Sequence, residues 1–225
     1  MNFANVKSMT IPVGGVARDV KAVSIGGVTV WTKPNPLPYD ALVQYVESDG
    51  TQYVDTGLSI ASGAFEMGVD FDASYAENNC AIAVQGDATS GTTQQKRLAF
   101  YHNAANTNYI IDRGTAGSRI NQSGYSVDTG KLTFAIVLNS AKRILVCRSN
   151  GINGLPNLRG RIRYFRLWDS ADTLVRDLVP VRVGSGANAV GYLYDRTNPT
   201  GGPSGNGLYG SATSTPLVAG PDRTP

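Results

Sequence analysis

Glutamate and histidine are scarce in this sequence of 225 residues, and each scarcity argues against a class of protein. The chain has only three glutamates, and charged residues make up 16% of it, below the quarter or so that is typical of soluble domains. Because helix surfaces are usually rich in Glu, Lys, Ala and Leu, this composition disfavours a helical protein. The single histidine, His102, excludes a histidine-based triad or a multi-histidine metal site within one chain.

Long apolar runs and concentrated charge are also missing. No stretch approaches the roughly 18 apolar residues of a membrane-spanning helix, so we expect no membrane insertion. The N-terminal residues lack the basic start and apolar run of a signal peptide, so we expect no secretion by that route. A formal net charge of +3 is too mild to indicate nucleic-acid binding. Cys80 and Cys147 lie far apart, and we favour buried free thiols over a disulfide for a chain made in the cytosol.

Short apolar runs separated by Gly-rich polar turns dominate the chain from Ala41 onward. They recur at roughly ten-residue intervals, which indicates a β-sandwich or jelly roll. The run "AFEMGVDFDA" places Phe65, Met67, Val69 and Phe71 on one side of a strand, so we predict one buried face. The later run "ADTLVRDLVPV" fits a helical turn or a strand that Pro180 closes. We expect the tyrosines of the Gly/Pro-rich tail to cover one end of the sandwich.

Residues 1–36 form a distinct leader ahead of a main domain at residues 37–225. Short strand-like runs are punctuated by Gly26-Gly27, a hairpin signal, and followed by the proline-rich linker "KPNPLPYD". The leader has too few apolar residues to form a core alone. We therefore interpret it as a docking arm, which must pack on the main domain or on a partner. Its candidate docking residues are Ile11, Val13, Val20, Ile25, Val28, Val30 and Trp31.

The segment "GRIRYFRLWDS" crowds arginines and aromatic residues together. It fits an RNA-binding sheet with exposed aromatics, or a sandwich strand that is either central with a bulge or covered by the tail. In a sandwich strand the arginines would snorkel from the edge or pair with nearby aspartates. Asp169, Asp172 and Asp177 follow closely and would repel phosphate. We therefore favour the central strand and expect no nucleic-acid partner.

Three sets of side chains are candidates for chemistry. Glu66, Asp70 and Asp72 resemble the carboxylates of jelly-roll glucanases, but the second glutamate of that arrangement is missing, so a solvated outer face is favoured and no catalytic residue is assigned. Loops at 72–79 and 86–91 carry the hard oxygens that calcium prefers, yet simple turns explain them, so calcium stays open and no metal or cofactor is predicted. The candidate carbohydrate contacts, expected in loops with His102 at a loop mouth, are Tyr101, His102, Asn103, Tyr109 and Arg113.

Several motifs resemble one known family. "GRIRYFRLWDS" resembles the last core strand of laminin-G-like, concanavalin A-like jelly rolls, which often read Gly-x-Ile-x-x-Φ-x-Ile-Tyr/Trp, with Φ an apolar residue. The segments at 10–31, 45–57, 174–182, 190–198 and 219–222 resemble a pattern of LamG-like proteins encoded by phages and prophages of gut bacteria. The closing segment, longer and richer in Pro and Gly, departs from that pattern.

The resemblance implies a concanavalin A-like, LamG-like jelly-roll sandwich with a short β-rich N-terminal arm. It implies a non-enzymatic virion structural protein, such as a capsid decoration, a head fibre or a tail-associated protein. Its partners would be other virion proteins, such as the major capsid or tail protein, and the displayed sandwich could adhere to host-surface or mucus glycans. A homo-oligomer is an open option. The alternatives are a polysaccharide depolymerase and a purely shell-stabilising decoration protein.

Overall fold

The chain divides into two compact units, residues 1–37 and residues 38–225. The computed structural model describes residues 10–13, 16–19, 22–25, 28–32, 37–75, 77–85, 97–103, 108–117, 119–136, 143–148 and 156–224. Across these ranges the helical structure amounts to one 3-10 turn, Gly186–Asn188. The prediction of an all-β protein is therefore confirmed.

The described strands number twenty, and every strand pairing between them is antiparallel. In the N-terminal unit they are β1 Thr10–Val13, β2 Val16–Asp19, β3 Ala22–Ile25 and β4 Val28–Thr32. In the C-terminal unit they are β5 Ala41–Leu42, β6 Val46–Asp49, β7 Val54–Asp55, β8 Ser62–Phe71, β9 Asn79–Gln85, β10 Arg97–Asn103, β11 Asn108–Arg113, β12 Ile120–Ser123, β13 Ser126–Asp128, β14 Leu132–Ala135, β15 Leu145–Val146, β16 Arg159–Trp168, β17 Leu174–Val183, β18 Val190–Asp195, β19 Leu208–Tyr209 and β20 Val218–Ala219.

The N-terminal unit contains two separate two-stranded sheets. Strand β1 pairs with β2, and β3 pairs with β4 with Ile25 opposite Val28, so the strands on either side of Gly26-Gly27 do pair. Of the predicted docking residues, Val20 lies outside the described residues, as does the linker stretch 33–36. The backbone of the others lies in strands: Ile11 and Val13 in β1, Ile25 in β3, and Val28, Val30 and Trp31 in β4.

The C-terminal unit is a sandwich of two sheets. The small sheet has the strand order β12-β11-β10-β9-β15-β7. The large sheet has the main order β13-β8-β16-β17-β18-β19, with β14 beside β8, β5 beside β17, and β6 between β16 and β20. One continuous hydrophobic core lies between the two sheets. The small sheet contributes Leu98, Phe100 and Ile111 to it, and the large sheet contributes Phe65 and Met67.

Strand β8 shows the alternation that the sequence predicts. Phe65, Met67, Val69 and Phe71 are buried in the core, and the residues between them face the other side of the sheet. The prediction of a single core-facing side for this strand is confirmed.

The basic and aromatic segment is strand β16, a central strand of the large sheet that pairs with β8 on one side and with β6 and β17 on the other. The register of its pairing with β8 shifts between Ile162 and Tyr164, which is the mark of a β-bulge. Because strand side chains alternate, Ile162 and Phe165 would otherwise lie on opposite faces. The bulge lets Ile162, Phe165 and Leu167 all enter the core, so the predicted bulged central strand is confirmed.

The expectation that Pro180 closes its segment is wrong, since β17 continues through it to Val183. Strand β17 pairs with β16 as far as Leu178 and then with β5 from Val181, so Pro180 lies where the neighbour changes. On its other side β17 pairs with β18 without interruption through Pro180. The carbonyl of Pro180 accepts a hydrogen bond from the N–H of Val43 on the β5 side, so its missing N–H belongs to the side where the neighbour changes.

The tail contributes more than a cover for one end of the sandwich. Its strands β18, β19 and β20 belong to the large sheet, and Tyr209 lies in the main core. Tyr194 packs with Val179 and Val181 in a separate apolar cluster, against which Tyr192 also packs. Tyr-rich strands of this kind explain why a Gly/Pro-rich tail can be ordered.

Both cysteines are buried and free, as predicted. Burial raises the pKa of the Cys80 thiol to about 12, and burial also raises the pKa of Cys147. Thiols held in the neutral form are poor nucleophiles, so neither is a candidate for catalysis.

Candidate functional site

The outer face of the large sheet carries the arginines of β16 in rows between carboxylates. Arg161 lies opposite Glu47 on β6 and Asp70 on β8, and its Nε donates to Glu47 Oε2 at 2.8 Å. One row further along, Arg159 lies opposite Asp49, and its Nε is 3.1 Å from Asp72 Oδ2. Each of these arginines is thus flanked by acids from neighbouring strands.

The pattern continues beyond the bulge. Arg163 Nη1 donates to Asp128 Oδ2 at 3.0 Å, and Arg163 Nε lies 3.3 Å from Asp70. Arg166 reaches Glu66 at 3.1 Å and Asp177 at 3.2 Å. The predicted pairing of these arginines with nearby aspartates is therefore seen at Asp177. Positive charge paired in this way is not available for a phosphate backbone.

The three glucanase-like carboxylates lie on this outer face, as the spacing predicts. Glu66 pairs with Arg166 and Asp70 with Arg163, while Asp72 pairs with Arg159. Hydrogen bonds from the hydroxyl and backbone N–H of Ser74 hold the pKa of Asp72 below its usual value. A general acid needs a raised pKa, so the lowered pKa of Asp72 argues against that role for it.

A cleft of about 400 Å³ opens beside these rows, between β6, β8 and the start of β16. Four carboxylates and two guanidinium groups line it, and both guanidinium groups are already paired. Among the described residues no group of three or more His, Cys, Asp or Glu could hold a metal ion. The second calcium loop, residues 86–91, lies outside the described residues.

On the outer face of the small sheet, two arginines share one buried aspartate. Asp112 on β11 lies directly opposite Ala99 on β10. Because Ala99 is small, the side chains on either side of it in β10, Arg97 and Tyr101, reach Asp112 or its partners. Arg119, just before β12, approaches from the other side. We call Arg97, Tyr101, Asp112 and Arg119 the arginine–aspartate cluster.

Hydrogen bonds connect all four members of the cluster. Arg97 Nε donates to Asp112 Oδ2 at 2.6 Å, and Arg97 Nη2 contacts the same oxygen. Arg119 Nε donates to Asp112 Oδ1 at 2.7 Å. Tyr101 Oη accepts from Arg119 Nη2 at 2.9 Å and from Arg97 Nη2 at 3.3 Å. Both carboxylate oxygens and the phenol oxygen are therefore used.

Burial and charge distinguish this cluster from a surface ion pair. The side chain of Asp112 is fully buried and that of Arg97 is 10% exposed, whereas that of Arg119 is 37% exposed. Burial raises the pKa of Tyr101, so its phenol stays neutral, and the hydrogen bond to Asp112 raises the pKa of Arg119. Two guanidinium groups around one carboxylate leave a net positive charge, and Arg119 is the member that solvent reaches.

A polar stripe continues from Arg119 along the edge strand β12. Arg119 immediately precedes β12, Asn121 and Ser123 lie in it at alternate positions, and all three are exposed. Asn108, on the neighbouring strand β11, donates from its side-chain amide to Asn121 Oδ1. The stripe combines a guanidinium group, two amides and a hydroxyl on one side of the small sheet.

The five predicted carbohydrate contacts lie in strands β10 and β11 and not in loops, so that expectation is wrong, and they divide between the faces of the sheet. Tyr101 and, by alternation, Asn103 belong to the outer face. His102 and Tyr109 lie opposite each other on the core-facing side, where Tyr109 packs against the main core. Arg113 is half-buried opposite the core residue Leu98.

His102 is not at a loop mouth, contrary to the expectation. Its side chain is 2% exposed and stacks on Tyr125 with ring centroids 4.5 Å apart, because alternation along β10 turns it inward after the core residue Phe100. Neither ring nitrogen makes a hydrogen bond to a described residue. Burial lowers the pKa of His102, so the imidazole is neutral at pH 7.

Sequence reasoning missed three of the four members of the cluster. Arg97 and Asp112 adjoin the apolar stretches "LAFY" and "YII", where a charged residue on an alternating strand signals a buried partner. Arg119 precedes a polar edge strand and carries no such signal.

Comparison of the chain with protein-family models, curated proteins and solved structures finds no match in any of the three. In the described part of the chain, no helix is both long and apolar enough to span a membrane.

Proposed function

We propose that this protein is a non-enzymatic structural component of a phage virion, as a capsid decoration, a head fibre or a tail-associated protein. Its N-terminal unit attaches it to another virion protein, such as the major capsid or tail protein. Its sandwich is displayed and adheres to glycans of the host surface or of mucus. The resemblance of the sequence to phage-encoded LamG-like proteins motivates this proposal.

One structural observation carries it: the described residues of the N-terminal unit form two separate two-stranded sheets. An isolated two-stranded hairpin is at best marginally stable in water, because it buries little apolar surface. The C-terminal unit, in contrast, has a continuous core of its own. A small unit that needs a surface, beside a domain that does not, is the organisation expected of an anchor and a displayed module.

We assign the sandwich more narrowly to the LamG-like jelly rolls. The family positions in β16 support this assignment, since Ile162, Phe165 and Leu167 all face the core. Gly160 has a φ of +149°, and a Cβ there would lie 2.2 Å from the carbonyl oxygen of Asp70. Glycine is thus required at the position where the family pattern has it.

The arginine pairing of Glu66, Asp70 and Asp72 favours a non-enzymatic role over a depolymerase. Glycoside hydrolysis needs one carboxyl group that keeps its proton and a second that is ionised, on either side of a sugar. Here each of the three carboxylates is paired with an arginine of β16, so a sugar would have to displace that arginine to reach it. If Glu66→Gln abolished the release of sugar from a surface polysaccharide, the depolymerase alternative would replace our proposal.

Attachment is tested by adding back the protein to a phage that lacks its gene and measuring it in purified particles by mass spectrometry. We expect the full chain to be incorporated and a chain without residues 1–36 to be reduced at least tenfold. Val30→Asp tests the docking strand, and Thr29→Asp, the same change at a neighbouring residue of β4 that is not a predicted docking residue, is the matched control. Equal incorporation of the truncated chain would show that the sandwich itself docks and would refute the anchor.

Adhesion is tested separately with the purified full chain, made oligomeric on a scaffold because single-site contacts to glycans are weak. The exposed stripe of Arg119, Asn121 and Ser123 is the observation that favours it, since amides and hydroxyls bind sugar hydroxyls. We expect binding on a glycan array above that of a variant in which these three residues are replaced by alanine. An equal signal above background for both would show that another surface binds the glycan, and no signal for either would leave the shell-stabilising role as the function.

A further inference from the structure

We propose that Arg119 binds the carboxylate of an acidic sugar on the outer face of the small sheet, with Asn121, held by Asn108, contacting a hydroxyl group of the same glycan. This inference rests on the proposed adhesion and gives it a ligand class, glycans that contain uronic or sialic acid residues.

The first argument is charge. Within the described residues, Arg97 and Arg119 share the single carboxylate of Asp112, and their other partner, Tyr101, is neutral. Arg97 and Asp112 balance each other in the buried part of the cluster, so the surplus positive charge lies on the exposed Arg119, where an anion can reach it. The arginines of β16 differ, because each of them has a carboxylate partner.

The second argument is access and orientation. Arg119 donates hydrogen bonds from Nε to Asp112 and from Nη2 to Tyr101 and Asp112. Its Nη1 makes no hydrogen bond within the described part of the chain, and the side chain is 37% exposed. The bonds to Asp112 and Tyr101 hold the guanidinium plane in place, so its two remaining donors are oriented before a ligand arrives.

The third argument is what surrounds Arg119. Asn121 lies two residues further along the same face of β12, about 7 Å away at the rise of a strand. Its amide is oriented by the hydrogen bond from Asn108. A small inorganic anion bound at Arg119 is too short to reach an amide about 7 Å along the strand, whereas a sugar carries hydroxyl groups several ångströms from its carboxylate. The combination therefore favours an acidic sugar over free phosphate or sulfate.

The test is a binding titration of the full chain with trigalacturonate, with its methyl ester and with inorganic phosphate as separate probes. We expect the methyl ester, which has the same sugar rings without the charge, to bind at least tenfold more weakly, because a hydrogen bond to a charged group is worth about tenfold or more in affinity. We expect phosphate to bind more weakly than trigalacturonate.

Variants locate the site. Arg119→Gln keeps the pair of Arg97 and Asp112 and should lose at least tenfold in affinity for trigalacturonate. Arg119→Lys keeps the charge but cannot hold Asp112 and a ligand at once, so it should lose less. Arg143→Gln, an exposed arginine paired with Asp55 elsewhere on the same unit, is the matched control and should bind like the wild type. Thermal unfolding of each variant checks that the fold is kept.

Three results would overturn the inference. Equal binding of acid and ester would show recognition without charge, in which case adhesion to neutral glycans stands and only the ligand class falls. Phosphate binding as tight as trigalacturonate binding would show a general anion site. Equal loss in Arg119→Gln and Arg143→Gln would show that the charge acts from a distance. Failure of adhesion itself is distinct, because the glycan array then shows no signal with any sugar.

Discussion

The two outer faces of the sandwich both carry arginines next to carboxylates, yet they differ in how the charges balance. On the large sheet the arginines of β16 are flanked by acids from the strands on either side, and most of these groups are partly exposed. On the small sheet Arg97 and Arg119 share Asp112, whose side chain is fully buried. The arginines of β16, which stand out in the sequence, are thus neutralised by carboxylates. Arg97 and Arg119, which do not stand out, together retain one surplus positive charge.

The difference shows that the charge of a strand is decided by its neighbours. Arg161 is one residue of a basic run, but the register places Glu47 and Asp70 at its sides. The two faces also differ in energy, because exposed ion pairs contribute little to stability whereas a buried charge that loses its partner is strongly destabilising.

The largest effect is expected when the buried carboxylate is removed. Asp112→Asn leaves two guanidinium groups facing each other without a counter-charge, so we expect the free energy of unfolding to fall by about 3–5 kcal/mol. Urea unfolding followed by fluorescence measures this change. A loss below about 1 kcal/mol would show that the cluster behaves like a surface pair.

The matched change on the large sheet is Glu66→Gln. Arg166 keeps Asp177 as a partner, so we expect a loss of about 1 kcal/mol or less in the same urea experiment. A loss as large as that of Asp112→Asn would remove the distinction between the two faces.

A medium effect on the free energy of unfolding is expected when the pH is lowered, because of His102. This residue lies on β10 between Tyr101 and Asn103 but faces the core. Burial lowers its pKa in the folded protein, so between that value and the ordinary value of 6.5 the unfolded chain binds more protons. Stability should therefore be full above pH 6.5 or so and decline as the pH falls through the folded-state pKa, by at most about 1.4 kcal/mol per pH unit.

The control for that slope is His102→Phe, which keeps an aromatic ring against Tyr125 and removes the proton-binding site. Urea unfolding at several pH values below neutral should show a smaller decline for this variant than for the wild type. An identical decline in both proteins would assign the acid sensitivity to the carboxylates and leave His102 without a role in it.

The smallest effect is expected from a surface pair of the large sheet. A double-mutant cycle of Arg161→Ala and Glu47→Ala should give a coupling energy of about 0.2–1 kcal/mol, since both side chains are more than two-fifths exposed. Thermal unfolding in low and high salt measures it, and the coupling should shrink as salt rises. A coupling of about 3 kcal/mol or more that salt does not change would contradict the balanced-surface account.

Elements that follow from local alternation could be predicted from the sequence. The period of two in β8 shows its core face directly, and the conflict between Ile162 and Phe165 in β16 predicts a bulge because both are too apolar to leave exposed. The prediction that Pro180 ends its strand is wrong because proline is tolerated in a strand where the neighbouring strand changes. That change depends on the pairing within the sheet and cannot be seen in the local sequence.

The candidate site could not be predicted in the same way. The cluster depends on Asp112 lying opposite Ala99 and on Arg119 approaching from the edge, and both follow from long-range strand pairing. The predicted contacts Tyr101 and His102 are neighbours in sequence, so a strand must send them to opposite faces. The sequence indicates the right strands, and only the register shows which face carries the charge.

The most direct test of the surplus charge observes all arginine side chains at once. Sodium galacturonate is titrated into the isotope-labelled full chain while NMR follows the Nε–Hε resonances. We predict that the Arg119 resonance shifts and saturates, while those of Arg159, Arg161, Arg163 and Arg166 stay within the shifts caused by sodium chloride at the same ionic strength. Saturable shifts of the β16 arginines with an unchanged Arg119 would contradict the account.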